Sequence, residues 1–201
     1  RLLMSTHLSA DPAAAVAALA PDLDVAAHLR DASTVQEGLR VLYEGYSDRQ
    51  ALGFRDSESV WNTWSFAELQ DHVAHVVSVL RDDAGVQPGD RVATLGFTSA
   101  DYTALSLAVL GDLRAVEVPL QSGAAESVVA DILDETEAKV LAVSTNSLSR
   151  VTTLIENGTR ADLAHLVVFD VSEAALDAVE SARAVAEPLG ISVHLVQFDD
   201  E

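Results

Sequence analysis

Cysteine is absent from the 201 residues, lysine occurs once, at Lys139, and aromatic residues make up only 5%. Without cysteine there is no disulfide, no thiolate metal ligand and no cysteine nucleophile. The lone lysine has no glycine beside it, so a G-x-x-x-x-G-K-[ST] phosphate loop is excluded. The ten glycines are scattered and nowhere form G-x-G-x-x-G after a strand, which removes the usual dinucleotide fingerprint. A G-x-S-x-G nucleophile elbow is missing too, because in Gly96-Phe97-Thr98-Ser99-Ala100 the serine comes one position late. No apolar run approaches the roughly 18 residues of a membrane span, and no signal-peptide pattern opens the chain. A soluble, cytoplasmic protein is the expectation. Positive charge is scarce: 12 Lys+Arg face 32 Asp+Glu, a formal net charge of −20. Such a surface repels phosphate backbones and anionic lipid, so neither nucleic acid nor membrane is an expected partner.

What is present is apolar substance, 49% of the chain against 22% charged residues, enough for a globular core. Residues 1–32 are alanine-rich and read as a helical leader, with one helix expected over 11–20. Ser33 and Gln36 have capping-box spacing and open a helix with Val35, Leu39, Leu42, Tyr43 and Tyr46 on one face. Residues 51–54 and 60–64 read as a hairpin around a polar turn at 56–58. Ser65 and Glu68 make a second capping box, opening a helix with the stripe Phe66, Leu69, Val73, Val76, Val77 and Leu80 that ends near Gly85.

From there strands and helices alternate. Strands are expected at 91–95, at 115–118 with Pro119 as its stop, and at 140–143, 166–169 and 191–196. The intervening helices carry Tyr102, Leu105, Leu107, Val109 and Leu110, then Val128, Val129, Ile132 and Leu133. The last two carry Leu148, Val151, Leu154 and Ile155, and Leu176, Val179, Ala182 and Val185. Strand–helix alternation of this kind predicts an α/β fold, a mainly parallel β-sheet with helices on both faces, over residues 33–201. The chain stops five residues after a buried-type strand, which reads as a truncation.

Candidate chemistry is sparse. His72 and His75 are three apart on a helix, a spacing that can suit a metal, but His72 lies at the margin of the apolar stripe and His75 opposite it. Both read as surface residues, and no metal site is expected. His165 and His194 fall in strands and read as structural. The acidic residues read as a solvated face. One segment stands out, where the strand at 91–95 runs into Gly96-Phe97-Thr98-Ser99 and a helix begins. Thr98 and Ser99, with free backbone N–H groups, could hold an anion beyond the strand's carboxyl end. Ser99 could equally do no more than cap the helix.

The same region carries a resemblance. Trp64-Ser65-Phe66-Ala67-Glu68-Leu69 resembles the first core motif of adenylate-forming enzymes, and Val86-Gln87-Pro88-Gly89-Asp90-Arg91-Val92-Ala93 is similar to their Pro-Gly-Asp approach to a strand. Leu95-Gly96-Phe97-Thr98-Ser99-Ala100-Asp101-Tyr102, followed by Ala115-Val116-Glu117-Val118-Pro119-Leu120-Gln121, resembles the adenylation domain of carboxylic acid reductases. The likeness runs over about residues 33–200. It implies the N-terminal subdomain of an adenylate-forming enzyme whose parent uses ATP, Mg and a carboxylic acid, then a carrier domain's phosphopantetheine, then NADPH, to release an aldehyde. It also implies that the phosphate loop, the catalytic histidine and both family lysines lie outside this chain, so no catalytic residue is assigned here and the chain alone is expected to be inactive. One departure is Leu113-Arg114, where these enzymes carry Leu-Gly; Gly111 is the candidate replacement for the helix stop. Two other readings stay open: part of an acyl-AMP or acyl-CoA ligase or of a peptide-synthetase adenylation domain, and a non-catalytic binding module that kept the fold.

Overall fold

The computed structural model describes residues 20–55, 59–158 and 162–197. The helix expected at 11–20, apart from Ala20, the hairpin turn at 56–58 and residues 198–201 lie outside them. Two short helices come first, α1 (Leu23–Asp31) and α2 (Val35–Gly45). A hairpin follows, β1 (Gln50–Arg55) and β2 (Trp61–Ser65), antiparallel, with Leu52 opposite Trp64 and Phe54 opposite Asn62. Helix α3 (Phe66–Ser78) leads on through a π-helical turn, Val79–Asp83. After it come β3 (Arg91–Leu95), α4 (Ala100–Leu107), β4 (Val116–Leu120), α5 (Glu126–Thr136) and β5 (Val140–Ser144). The series closes with α6 (Leu148–Glu156), β6 (His165–Phe169), α7 (Leu176–Ala186) and β7 (Ser192–Leu195).

Strands β3 to β7 form one parallel sheet in the order β4-β3-β5-β6-β7. Alternating side chains divide between its faces, as the two-residue period of a strand requires. Val92, Val140, Ala142, Val167 and Phe169 pack against α2, α3 and α4 on one side. Ala93, Leu95, Leu141, Val143, Leu166 and Val168 pack against α5, α6 and α7 on the other. The doubly covered α/β sheet of the sequence reading is therefore observed, and among the described residues no helix is long and apolar enough to cross a membrane.

Helix α3 matches the reading closely. Both bonds of its capping box form, Glu68 N–H to Ser65 Oγ at 3.2 Å and Ser65 N–H to Glu68 Oε2 at 2.6 Å. Leu69, Val73, Val76, Val77 and Leu80 are buried, and Gly85 ends the segment at φ +66°. Elsewhere the local rules chose differently. The N-cap of α2 is Thr34, not Ser33: Thr34 Oγ1 accepts from Glu37 N–H, and Glu37 Oε2 accepts from both Ser33 N–H and Ser33 Oγ. The shift of one residue brings a carboxylate to the box in place of the Gln36 amide, a stronger acceptor beside the helix N-terminus. Val35, Leu110 and Val128, expected in the core, are exposed.

Pro119 does not stop β4. It lies inside the strand opposite Thr94, and β4 is the sheet's edge, where a residue without an N–H costs no ladder bond on its outer side. Gly111 is not a helix stop either. It lies in a π-helical turn, Ala108–Asp112, where a Cβ would come within 2.6 Å of Leu39 Cδ1, so it serves close packing of α2. Arg114 itself takes the left-handed conformation, φ +52°. Within the 1–32 leader, α1 packs its buried Val25 against Gly45 of α2, where a Cβ would lie 2.4 Å from Val25 Cγ2.

Candidate functional site

The carboxyl ends of β3 and β6 lie on neighbouring sides of β5, and the chain turns sharply after each. Gly96 follows β3 in a gap closed by Phe169 Cζ, 2.8 Å from where a Cβ would sit, and by Ser144 Cβ at 3.0 Å. Only glycine passes there without moving buried neighbours. Past Phe97 and Thr98, Ser99 is extended (φ −134°, ψ 179°) and its Oγ accepts from Tyr102 N–H at 3.0 Å, capping α4. The same Oγ donates to Asp170 Oδ1 at 2.7 Å.

Asp170 follows β6 in the left-handed region, φ +55°. Its carbonyl accepts from Thr145 Oγ1 at 2.9 Å, and its N–H donates to Asp101 Oδ2 at 3.1 Å. The turn is thus held by a side chain in the first turn of α4 and by one just after β5. Burial pushes the Asp101 carboxyl up to about 6, helped by the neighbouring charge of Asp170 and opposed by the Asp170 N–H. Burial raises Asp170 as well, against the pull of the Ser99 hydrogen bond. Asp101 and Asp170 are 69 residues apart in sequence, and the reading of the carboxylates as a solvated face missed them. The available signals were a strand ending Val-Val-Phe-Asp and an aspartate two residues after a helix cap.

This pair floors a cleft of about 550 Å³. Thr98, Ser99 and Thr103 line it from the sheet side, and Leu52, Phe54 and Trp61 line it from the hairpin. Arg55 lies over the Trp61 ring at 4.9 Å. The structure therefore brings Thr98 and Ser99 to a cleft, with the Ser99 hydroxyl already shared between a helix cap and a carboxylate. Beneath the site a second polar chain runs through the layer between sheet and α4. Thr94 Oγ1 donates to Glu117 Oε1 at 3.1 Å and meets Tyr102 Oη at 3.2 Å, and Ser106 Oγ donates to the same Glu117 oxygen at 2.8 Å.

The remaining candidates lie elsewhere. His72 is half-buried, its ring stacked on Trp64 with centroids 3.7 Å apart, and burial lowers its pKa. His165 and His194 meet each other at the opposite end of the sheet. Lys139 pairs with Asp90 at 3.5 Å. No cluster of three or more metal-ligating side chains occurs among the described residues.

A parallel sheet with a glycine-tight turn, a capped helix and a cleft at its carboxyl edge is a ligand-bearing arrangement in open α/β folds. Residues 40–195 match the family of AMP-binding enzymes. The chain belongs to that family. Within it, the chain is similar to the N-terminal part of carboxylic acid reductase adenylation domains. It is 36% identical over 163 residues to the carboxylic acid reductase of Mycobacterium marinum, a match covering 72% of this chain and 14% of the relative. The adenylation domain of the Mycobacterium chelonae carboxylate reductase superposes with a TM-score of 0.79 at 30% identity, covering 92% of this chain and 31% of that one. The A-PCP didomain of the Segniliparus rugosus carboxylic acid reductase, solved in complex with AMP, gives 0.77 at 28% identity over 90% of this chain and 28% of that one. The chain thus spans about a seventh of the length of the M. marinum relative.

The cleft residues of this chain do not by themselves fit a nucleoside triphosphate. A triphosphate needs cationic or backbone N–H donors, whereas the floor here is a carboxylate pair and, among the described residues, the one guanidinium on the lining, Arg55, stacks on Trp61.

Proposed function

We propose that this chain is the N-terminal part of the adenylation domain of an ATP- and NADPH-dependent carboxylic acid reductase. The observation that carries the reading is 36% identity over 163 residues to a carboxylic acid reductase, a match covering 72% of this chain. In the parent protein a carboxylic acid would be activated by ATP and Mg as an acyl-adenylate. The acyl group would pass to a carrier thiol, and NADPH would reduce it to an aldehyde. Activation is needed because a carboxylate carries no good leaving group until its oxygen is bonded to one.

On this reading residues 20–197 supply scaffold and one wall of the site. The remainder of the domain supplies the cations and catalytic groups that the carboxylate-floored cleft lacks. Thr98 and Ser99 line the wall, and the phosphate contacts fall to the remainder. The chain by itself would then be inactive, and the parent would work in the cytoplasm.

The test begins with an antibody against this chain, used on extracts of the source cells. A band several times heavier than 21.3 kDa is expected. The purified parent should show acid-dependent ATP–pyrophosphate exchange and acid-dependent NADPH consumption, and the 201-residue chain neither. Exchange without NADPH consumption would favour an acyl ligase. A sole band at about 21 kDa would overturn the proposal.

A further inference from the structure

The sheet's amino-terminal end, opposite the cleft, carries a second pair of titratable groups. His165 is the first residue of β6 and His194 the third of β7. In the parallel register His165 stands opposite Ser192 and Val167 opposite His194, so both histidines project from the same face, the one packed by α3 and α4. His165 Nδ1 and His194 Nε2 are 3.1 Å apart, with ring centroids separated by 5.3 Å and planes tilted by 37°. That centroid separation is what the nitrogen contact and two ring radii span when rings meet head to head. One nitrogen's lone pair therefore faces the other's N–H. A metal held by both would need lone pairs converging off that line. The geometry is that of a hydrogen bond between two neutral imidazoles, one donating and one accepting.

The bond bears on strand β7. That strand is four residues long and, among the described residues, forms the sheet's edge, paired only with β6. Its parallel ladder with β6 runs from His165 opposite Ser192 to Val168 opposite Leu195, and is flanked by Ser192 N–H to Ala164 O at 2.9 Å and, just beyond it, Val196 N–H to Val168 O at 2.8 Å. Arg183 of α7 adds a bond from Nη1 to Val193 O at 3.1 Å and is itself held by Glu187 and Glu180. The side chains of His194 and Leu195 are only half-buried. The histidine bond adds a side-chain tie to the backbone ladder across the β6–β7 seam.

We propose that the His165–His194 pair is a pH-sensitive latch that holds edge strand β7 closed while both rings are neutral and releases it when they protonate. A second proton leaves no acceptor in the contact and sets two cations against each other. The charged groups acting on the pair are few. Asp83, at the end of the π-helical turn after α3, favours charging of His194, and Arg183 from α7 opposes it. His165 feels chiefly His194 itself. Burial is the larger influence on both and lowers both below the ordinary 6.5. The sign follows. The unfolded or released strand binds protons at a higher pH than the closed one, so the latch is at full strength above about pH 6.5 and weakens as pH falls through the lowered values.

Hydrogen-exchange mass spectrometry on the full polypeptide tests this, comparing protection of a peptide covering β7 with one covering β5, after correction for intrinsic exchange. The relative protection of β7 should fall at least tenfold between about pH 7.5 and about pH 5, the effect of one linked proton per pH unit. In His194→Gln, which can still hydrogen-bond but does not titrate, the fall should shrink below about threefold. A fall below threefold in the wild type overturns the latch, as does a full tenfold fall retained by His194→Gln. Should His194→Gln lose β7 protection already at pH 7.5, His165→Gln is read by the same two criteria.

Discussion

Arg114 holds a left-handed backbone at φ +52° with an exposed side chain, where the resembling enzymes carry glycine. Its carbonyl accepts from Gly89 N–H at 2.9 Å, so the turn cannot relax without disturbing the approach to β3. A non-glycine residue pays about 1–2 kcal/mol there, partly offset by its smaller entropy loss on folding. Arg114→Gly should therefore raise stability by about 0.5–1 kcal/mol, read as a higher urea midpoint at unchanged slope. Asp101 acts through pH. Its folded-state value of about 6 lies above the ordinary 3.8, so between these values the folded chain binds more protons than the unfolded one. The stability from that group is complete below about pH 4 and lost as pH rises towards 6. Asp101→Asn keeps an oxygen for the Asp170 N–H and cannot ionise. Its melting temperature should depend less on pH over that range and should match or exceed the wild type near neutral pH. Parallel melting profiles for the two proteins would contradict this. The Leu113-Arg114 departure marked Arg114 in the sequence, whereas the burial of Asp101 was not readable, because a buried carboxyl is made by what folds over it and not by its neighbours in the chain.

At the scale of elements, patterns confined to one helix or strand were legible, and choices between neighbouring local solutions were not. Ser65 and Glu68 cap α3 as their spacing suggests, since a capping box involves only four residues. For α2 the cap falls one residue later than the Ser33–Gln36 spacing suggests, on Thr34, while Glu37 reaches back to Ser33. Thr34→Ala should cost about 1 kcal/mol in denaturant unfolding, whereas Gln36→Ala, at an exposed position, should stay within about 0.5 kcal/mol. Equal losses in the two variants would favour the Ser33–Gln36 register. Pro119 shows the same limit. Whether a proline ends a strand depends on whether the strand has a second neighbour, and among the described residues β4 has only β3.

The whole molecule carries its charge of −20 on a fold with two apolar layers and few cations to neutralise it. Self-repulsion on that scale opposes folding and is screened by salt. Raising NaCl from about 20 to about 300 mM should raise the melting temperature, and a fall or no change would mean that specific ion pairs such as Arg91–Glu137 outweigh the general field. The amino-acid sequence alone determined the order of strands and helices, the two-sided covering of the sheet and the resemblance to adenylation domains. Those properties depend on periodicity and motifs within about twenty residues of each other. Tertiary structure alone decided three things: that Ser99, Asp101 and Asp170 share the floor of one cleft, that β4 and β7 are the sheet's edges, and that His165 meets His194. Each depends on distant segments brought together by hydrophobic burial, which is not directional and leaves no local signature of its partners.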